Sequence, residues 1–329
     1  MGRYITEAGL KQLDKYAYKS GKYTWLDNAF QPYWEFMVTL VPMWVAPNLI
    51  TFIGWLTFMS STIIILLHDF TFQKNIPGWV FSYAAISLWT YSTLDAIDGK
   101  QARRTKTSSP LGQLFDHGCD SFCVTFLMID LGEAAKLEDI YIFVLFLATY
   151  TAFWIANWKE YNTGVLVTNV GQMGVTESQI ISCIIFIVSA IFGQDFWVVG
   201  LKDILPSFIL SSLRGRTMNT LLSMPIGGVI SYFFGIMIVL MTIYEVVKTI
   251  AETKSLKSLK ELFSLFVLLA NCAVWINFSF FTQNIGIILF SFGFLIAFLV
   301  CKLIVASVTK VSIYLCRCLL TLSTRSCCL

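Results

Sequence analysis

Polar residues are sparse along this chain and gather in short groups, with long apolar runs between them. About 18 to 25 apolar residues in a row cross the hydrocarbon core of a bilayer as a helix. Eight runs of that kind stand out: 48–68, 78–94, 112–131, 140–158, one beginning at 175, 220–245, 261–281 and 285–307. The short alternating strands of a membrane β-barrel are absent. This pattern predicts an all-α polytopic membrane helical bundle with about eight transmembrane helices. Ahead of the first run, Phe30, Tyr33, Trp34, Met37, Leu40 and Val41 recur at steps of three and four, the apolar stripe of an amphipathic helix lying in the headgroup layer. Three parts follow: an interfacial segment 1–46, a six-helix core 47–247, and a transmembrane pair with a short tail, 248–329. In the sixth run, Pro225, Gly227 and Gly235 suggest close packing or a bend.

Composition sharpens this picture in a few places. With 57% hydrophobic and 13% charged residues, the net charge of +3 matters less than where the charges fall, and nothing points to a nucleic-acid partner. Of the 23 Lys and Arg, eighteen fall on the side of the N-terminus and five on the other, which predicts a cytosolic N-terminus. The chain opens on charged and polar residues, so no cleavable signal peptide is expected. Cys119, Cys123, Cys183, Cys272 and Cys301 lie inside apolar runs as small hydrophobes, and no CxxC pair suggests structural zinc.

The chemistry concentrates in residues 94–121, LDAIDGKQARRTKTSSPLGQLFDHGCDS, where two apolar runs meet. Asp95 and Asp98 are three apart and Asp116 and Asp120 four apart, so each pair projects from one face if its flank is helical. Carboxylates at the ends of membrane spans are expensive and normally have a partner, and a divalent cation is the natural one. Magnesium takes a few carboxylates, substrate phosphates and waters, and two such ions clamp an in-line displacement at phosphorus. Gly99 and Gly112 would let phosphate approach the backbone, or would serve helix packing; Arg103 would bind a phosphate oxygen. Lys100, Arg103, Arg104 and Lys106, with a turn at Ser108-Ser109-Pro110, predict a cytosolic loop over 100–111. Asn48 reads either as an N-cap or as a substrate contact. An ion transporter would place its carboxylates near the midplane on discontinuous helices, whereas these cluster at one face.

The run Asp95-x2-Asp98-Gly99-x2-Ala102-Arg103-x8-Gly112-x3-Asp116-x3-Asp120 resembles the signature of the CDP-alcohol phosphotransferases, integral membrane enzymes. The segments 94–105, 110–112 and 114–118 are similar to the eukaryotic choline/ethanolamine phosphotransferases nearly residue for residue, and the likeness extends from Ala46-Pro47-Asn48 to about the eighth run. The resemblance implies that diacylglycerol and CDP-ethanolamine or CDP-choline give a phospholipid and CMP, with two Mg2+ or Mn2+ ions held by Asp95, Asp98, Asp116 and Asp120. It implies Asn48, Gly99, Ala102, Arg103 and Gly112 around the bound CDP-alcohol, His117 and Glu177 in deprotonating the hydroxyl, and Asp120 in catalysis. An endoplasmic reticulum or Golgi location, a cytosolic active site and a homodimer belong to the same expectation. Members of the subfamily carry two further spans after the one ending near Val308, and 310–329 is too short and interrupted for such a pair. Another alcohol such as inositol, or a non-catalytic membrane subunit, are the alternatives.

The residues themselves support the base: histidine, with an unperturbed pKa near 6.5, is suited to take a proton near neutrality, and His117 adjoins Asp116. Glu177 could orient the imidazole, or act at a helix start where Thr176 and Gln179 form a capping box. For the headgroup, 158–166 looks like the ethanolamine branch and Val175-Thr176-Glu177 like the choline and dual-specificity branch; the longer match favours ethanolamine. Trp89, Tyr91, Trp154 and Trp158 could cage a quaternary ammonium, or anchor the protein at the interface.

Overall fold

Each long helix starts on a local signal. In the computed structural model, which describes residues 7–13, 19, 21–206, 222–275 and 283–310, a short helix α1 (Glu7–Leu13) precedes α2 (Trp25–Leu40). The start of α2 is a complete capping box: Thr24 Oγ1 accepts from the Asp27 N–H at 3.0 Å and Asp27 Oδ2 accepts from the Thr24 N–H at 2.9 Å. Helix α3 (Pro47–His68) begins on a proline, whose missing N–H costs nothing there. Helix α4 (Gly78–Thr105) follows Pro77, and α5 (Pro110–Ala134) is capped by Ser109, whose Oγ accepts from the Gly112 N–H at 3.1 Å. Helix α6 (Asp139–Thr163) stops at Gly164, where φ is +75°, a conformation glycine adopts without strain.

A two-stranded ribbon, β1 (Asn169–Val170) against β2 (Met173–Gly174), leads into α7 (Val175–Phe192). Two single turns, α8 (Asp195–Val198) and α9 (Leu201–Ile204), precede α10 (Ile226–Thr253), α11 (Leu262–Trp275) and α12 (Ile285–Thr309). Five of these helices, α3, α6, α7, α10 and α12, are long and apolar enough to cross a membrane. Helices α4 and α5 pack among them and carry the acidic residues, so the all-α membrane bundle stands. The seventh expected span is described only to Trp275, and residues 311–329 lie outside the described part.

Helix boundaries differ from the expectation wherever a helix outruns the bilayer. The loop foreseen over 100–111 shrinks to 106–109, because α4 continues three turns beyond its apolar run to Thr105. Those turns are held by side chains: Arg104 donates to the Val38 and Val41 carbonyls at 2.7 and 2.8 Å, and Gln101 to the Pro42 carbonyl at 3.0 Å. Likewise α6 runs past 158 to Thr163, with Trp158 fully buried and its indole N–H donating to the Ser258 carbonyl at 2.8 Å. Ala46, not Asn48, caps α3, and Asn48 sits in the first turn. Gly227 packs closely, since a Cβ there would lie 2.7 Å from the Ala135 carbonyl oxygen, but Gly235 meets nothing within 4 Å.

Inside the bilayer helix association rests on packing and interhelical hydrogen bonds, because lipid tails are as apolar as the side chains. Helix α3 lies on α4, α4 on α7, α5 on α12 and α6 on α10. Phe58, Phe81, Phe126, Phe146 and Trp154 are fully buried between them. Polar ties cross the same seams: Ser92 donates to Gln179 Oε1 at 2.6 Å between α4 and α7, and the Tyr150 hydroxyl of α6 donates to the Ser121 carbonyl of α5 at 2.7 Å. At the end away from the aspartates, burial pushes the Asp69 carboxyl up, but bonds from Thr71 and Lys74 outweigh it and hold the group below the usual value.

Candidate active site and metal centre

The short link 106–109 reverses the chain from α4 into α5, so that the start of α5 meets the aspartates of α4. Carboxylate oxygens of Asp95, Asp98 and Asp116 all lie within 4.8 Å of one another. Asp120 stands outside that trio but lines the same cavity, one helical turn along α5 from Asp116. Two of the acids are steadied by neighbouring helices: the Thr51 hydroxyl of α3 donates to Asp98 Oδ2, and the Tyr91 hydroxyl of α4 to Asp120 Oδ1. Asp116 Oδ1 is buried with no hydrogen-bond partner. Among the described residues no Lys or Arg pairs with any of the four. Gathered carboxylates repel and resist ionisation without a counter-charge. An all-oxygen set with an orphaned lone pair and no cationic side chain fits a hard divalent ion.

A cavity of about 1290 Å³ opens over the cluster. All four aspartates line it, as do His117, Asn48, Gly99, Ala102, Arg103 and Gly112. His117 is 8% exposed, and its Nε2 lies 3.8 Å from Asp116 Oδ2. At Gly99 and Gly112 an added Cβ would come no closer than 3.5 Å to any neighbour. Packing therefore does not demand glycine at either position, and a side chain there would instead intrude on the cavity. Arg103 is exposed at the mouth, whereas Arg104 is spent on the end of α2.

Glu177 is the one expected site residue that does not line the cavity. Its Oε2 accepts from the Gly174 N–H at 2.9 Å and so caps α7, while Oε1 is buried without a partner. The capping box expected from Thr176 and Gln179 does not form: the Thr176 hydroxyl donates to Asp27 Oδ1 at 2.6 Å, and Gln179 accepts from Ser92. The aromatic cage is not assembled either. Only Tyr91 of the four lines the cavity; Trp154 and Trp158 are in the core, and Trp89 packs on Phe30 and Tyr33.

Two segments roof the polar end. Backbone bonds join Gly21 N–H to the Leu166 carbonyl at 2.7 Å and Leu166 N–H to the Lys19 carbonyl at 3.0 Å, and Asn169 donates to the Lys22 carbonyl at 2.8 Å. Toward the bilayer the walls turn apolar along α6 and α10. The supporting residues had a weak signal in the sequence: Tyr91 lies one helical turn before Asp95, and Thr51 one turn into α3.

A helical membrane bundle with an acidic cluster, unpaired by Lys or Arg among the described residues, at the head of a polar-to-apolar cavity has the donor set of a membrane metal centre. The chain belongs to the CDP-alcohol phosphatidyltransferase family, which it matches over residues 44–322. This family is divalent-metal dependent. Over 196 residues the chain is 37% identical to cholinephosphotransferase 1 of Homo sapiens, covering 59% of this chain and 48% of that protein. Cholinephosphotransferase 1 of Xenopus laevis is 32% identical over 312 residues, 93% of this chain and 74% of that protein. An uncharacterized class-I family protein 2 of Dictyostelium discoideum is 38% identical over 200 residues, 60% of this chain and 48% of that protein. The chain thus spans about half the length of several curated relatives it matches.

Proposed function

We propose that this chain transfers phosphocholine or phosphoethanolamine from the CDP-alcohol to the free hydroxyl of diacylglycerol, giving a phospholipid and CMP. The observation that carries this reading is the trio Asp95, Asp98 and Asp116, without a cationic partner among the described residues, at the polar head of a cavity that continues along apolar helices. Asp95, Asp98 and Asp116, with Asp120 beside them, would hold Mg2+ or Mn2+, and four carboxylates on two facing helices suit two ions. Such ions supply Lewis acidity at phosphorus, neutralising charge on the attacking and leaving oxygens.

The chain's own groups do the rest. Arg103 binds a phosphate oxygen at the cavity mouth, and Asn48 offers its amide beside Gly112. Gly99, Ala102 and Gly112 keep that wall low enough for a diphosphate to reach the backbone. His117 takes the hydroxyl proton at Nε2, the nitrogen on the carboxylate side. As that O–H bond breaks, the lipid oxygen bonds to the phosphorus bearing the aminoalcohol, and the bond from that phosphorus to CMP breaks with the electron pair leaving on CMP. Asp116, whose Oδ2 lies 3.8 Å from Nε2, offers a counter-charge to the imidazolium so formed. We assign Glu177 to fixing the start of α7, because its Oε2 is committed to Gly174.

Lys and Arg distribution supports a site open to the cytosol, on endoplasmic reticulum or Golgi membranes. Purified protein given diacylglycerol, Mg2+ or Mn2+ and either CDP-aminoalcohol should release CMP, and chelation should stop it. Full activity after chelation, or no release with either donor, would refute the reading, the second outcome favouring a non-catalytic subunit.

A further inference from the structure

Besides the carboxylates, the cavity wall contains a second polar group that the reaction above leaves unused. Lys159 of α6 is 3% exposed and Glu245 of α10 is 8% exposed, and the ammonium meets Glu245 Oε2 at 2.6 Å. Burying two charges is costly even when they are paired, and both of these residues line the cavity. Two residues before Lys159, Asn157 lines it too. The Asn157 amide N–H donates to the Phe153 carbonyl at 2.8 Å, which fixes the amide orientation, since a carbonyl oxygen cannot donate. The remaining Asn157 Oδ1 is buried with no partner.

Helical geometry arranges these groups around a gap. Ala152 and Ala156, four apart, line the cavity on α6, and Asn157 and Lys159 flank Ala156 on its two sides. The Gln113–Glu160 bond at 2.7 Å and the Tyr150–Ser121 bond register α6 against α5, so interpolation sets Ile155 level with His117 and Asn157 about half a helical turn nearer the polar end. Below, Phe234, Met237 and Met241 run along α10 at three- and four-residue steps up to Glu245, an apolar track that ends at the ion pair.

An ammonium donor and an amide acceptor at the top of an apolar track complement one ligand chemistry: a neutral lipid with an ester carbonyl and a free hydroxyl. We propose that Lys159, oriented by Glu245, donates to an ester carbonyl of the diacylglycerol acceptor, while Asn157 Oδ1 accepts from its hydroxyl and turns it toward His117. Lys159 and Asn157 are thus specificity-determining residues for the acceptor, and Glu245 is a positioning residue. This rests on the reading of the acceptor given above.

The test pairs a variant with a substrate analogue. Dioleoylglycerol is compared with the dialkyl ether glycerol, which keeps the hydroxyl but lacks the carbonyls. A hydrogen bond from a charged donor corresponds to roughly tenfold, so the wild type should prefer the ester by about that factor in kcat/KM. In Lys159→Met/Glu245→Gln, which removes both charges and leaves no buried ion unpaired, the ratio should fall to about one with the KM for the CDP-alcohol unchanged. The rise in melting temperature on adding each lipid in metal-free detergent gives a readout independent of chemistry. Ester should stabilise the wild type more than ether, the variant should not distinguish them, and dioleoylphosphatidylcholine, lacking the hydroxyl, should act weakly. An ester-to-ether ratio equal in wild type and variant, or stabilisation by phosphatidylcholine equal to that by diacylglycerol, overturns the proposal. Ester-selective stabilisation without CMP release would instead count against the transferase reading and leave the lipid site standing.

Discussion

The hydroxyl of Thr51 gives a way to weaken the metal centre without touching a carboxylate. Thr51 is 2% exposed, and its Oγ1 donates to Asp98 Oδ2 from a different helix. Thr51→Val keeps the branched shape, so it opens no cavity, and removes one hydrogen bond to an ionised acceptor, about 1.5–3 kcal/mol. Groups that orient a metal ligand typically contribute 10- to 100-fold in metal affinity or activity. The metal concentration giving half-maximal CMP release should therefore rise roughly 10- to 100-fold, with the maximal rate largely recovered at saturating metal. Thr51→Ser, which retains the donor, should stay close to wild type. The assay is CMP release against free Mg2+ or Mn2+, alongside a melting curve to show that the variant is folded. A wild-type activation midpoint in a folded Thr51→Val protein would refute the idea that Asp98 is held for metal binding.

Asp98→Ala and Asp116→Ala should abolish turnover, whereas Asp120→Glu should retain some because Asp120 stands outside the trio; CMP release measures both. His117→Ala should lower kcat by roughly 10²- to 10⁴-fold while the KM for the CDP-alcohol holds, and an unchanged kcat would exclude His117 as the base. Gly112→Ala should leave the melting temperature unaltered, since its Cβ meets nothing closer than 3.5 Å, yet weaken binding of the CDP-alcohol, as read by titration. A cysteine at the exposed Ser108 should react with an impermeant reagent from the cytosolic side alone, and labelling from the lumen would invert the topology.

Apolar runs reveal only the part of a helix that lies in lipid, which is why the bundle was legible and its helix ends were not. The polar turns 95–105 of α4 and 159–163 of α6 continue their helices past the apolar runs, those of α4 held by the carbonyls that Arg104 and Gln101 reach. The aspartates could be read because their spacing is local, and local spacing decides a helix face. Glu177 was ambiguous for a physical reason: its capping partner is the backbone of Gly174, which no side chain advertises. Lys159 and Glu245 lie 86 positions apart on helices that meet only in three dimensions, so no sequence period could pair them. Of the ethanolamine-like segment 158–166, Trp158 is buried in the core while Lys159 and Leu166 line the cavity.

The backbone pairing of Lys19 and Gly21 with Leu166 has a consequence for biogenesis. These partners are made far apart in time: the ribosome delivers the first long before the helix that carries the second has entered the membrane. Until α6 has turned at Gly164, Lys19 and Gly21 lack their Leu166 partner, whereas both aspartate pairs lie earlier in the chain, on α4 and α5. A chain ending between Ala134 and Thr163 would thus carry all four aspartates but lack the Leu166 partner of its amino-terminal segment.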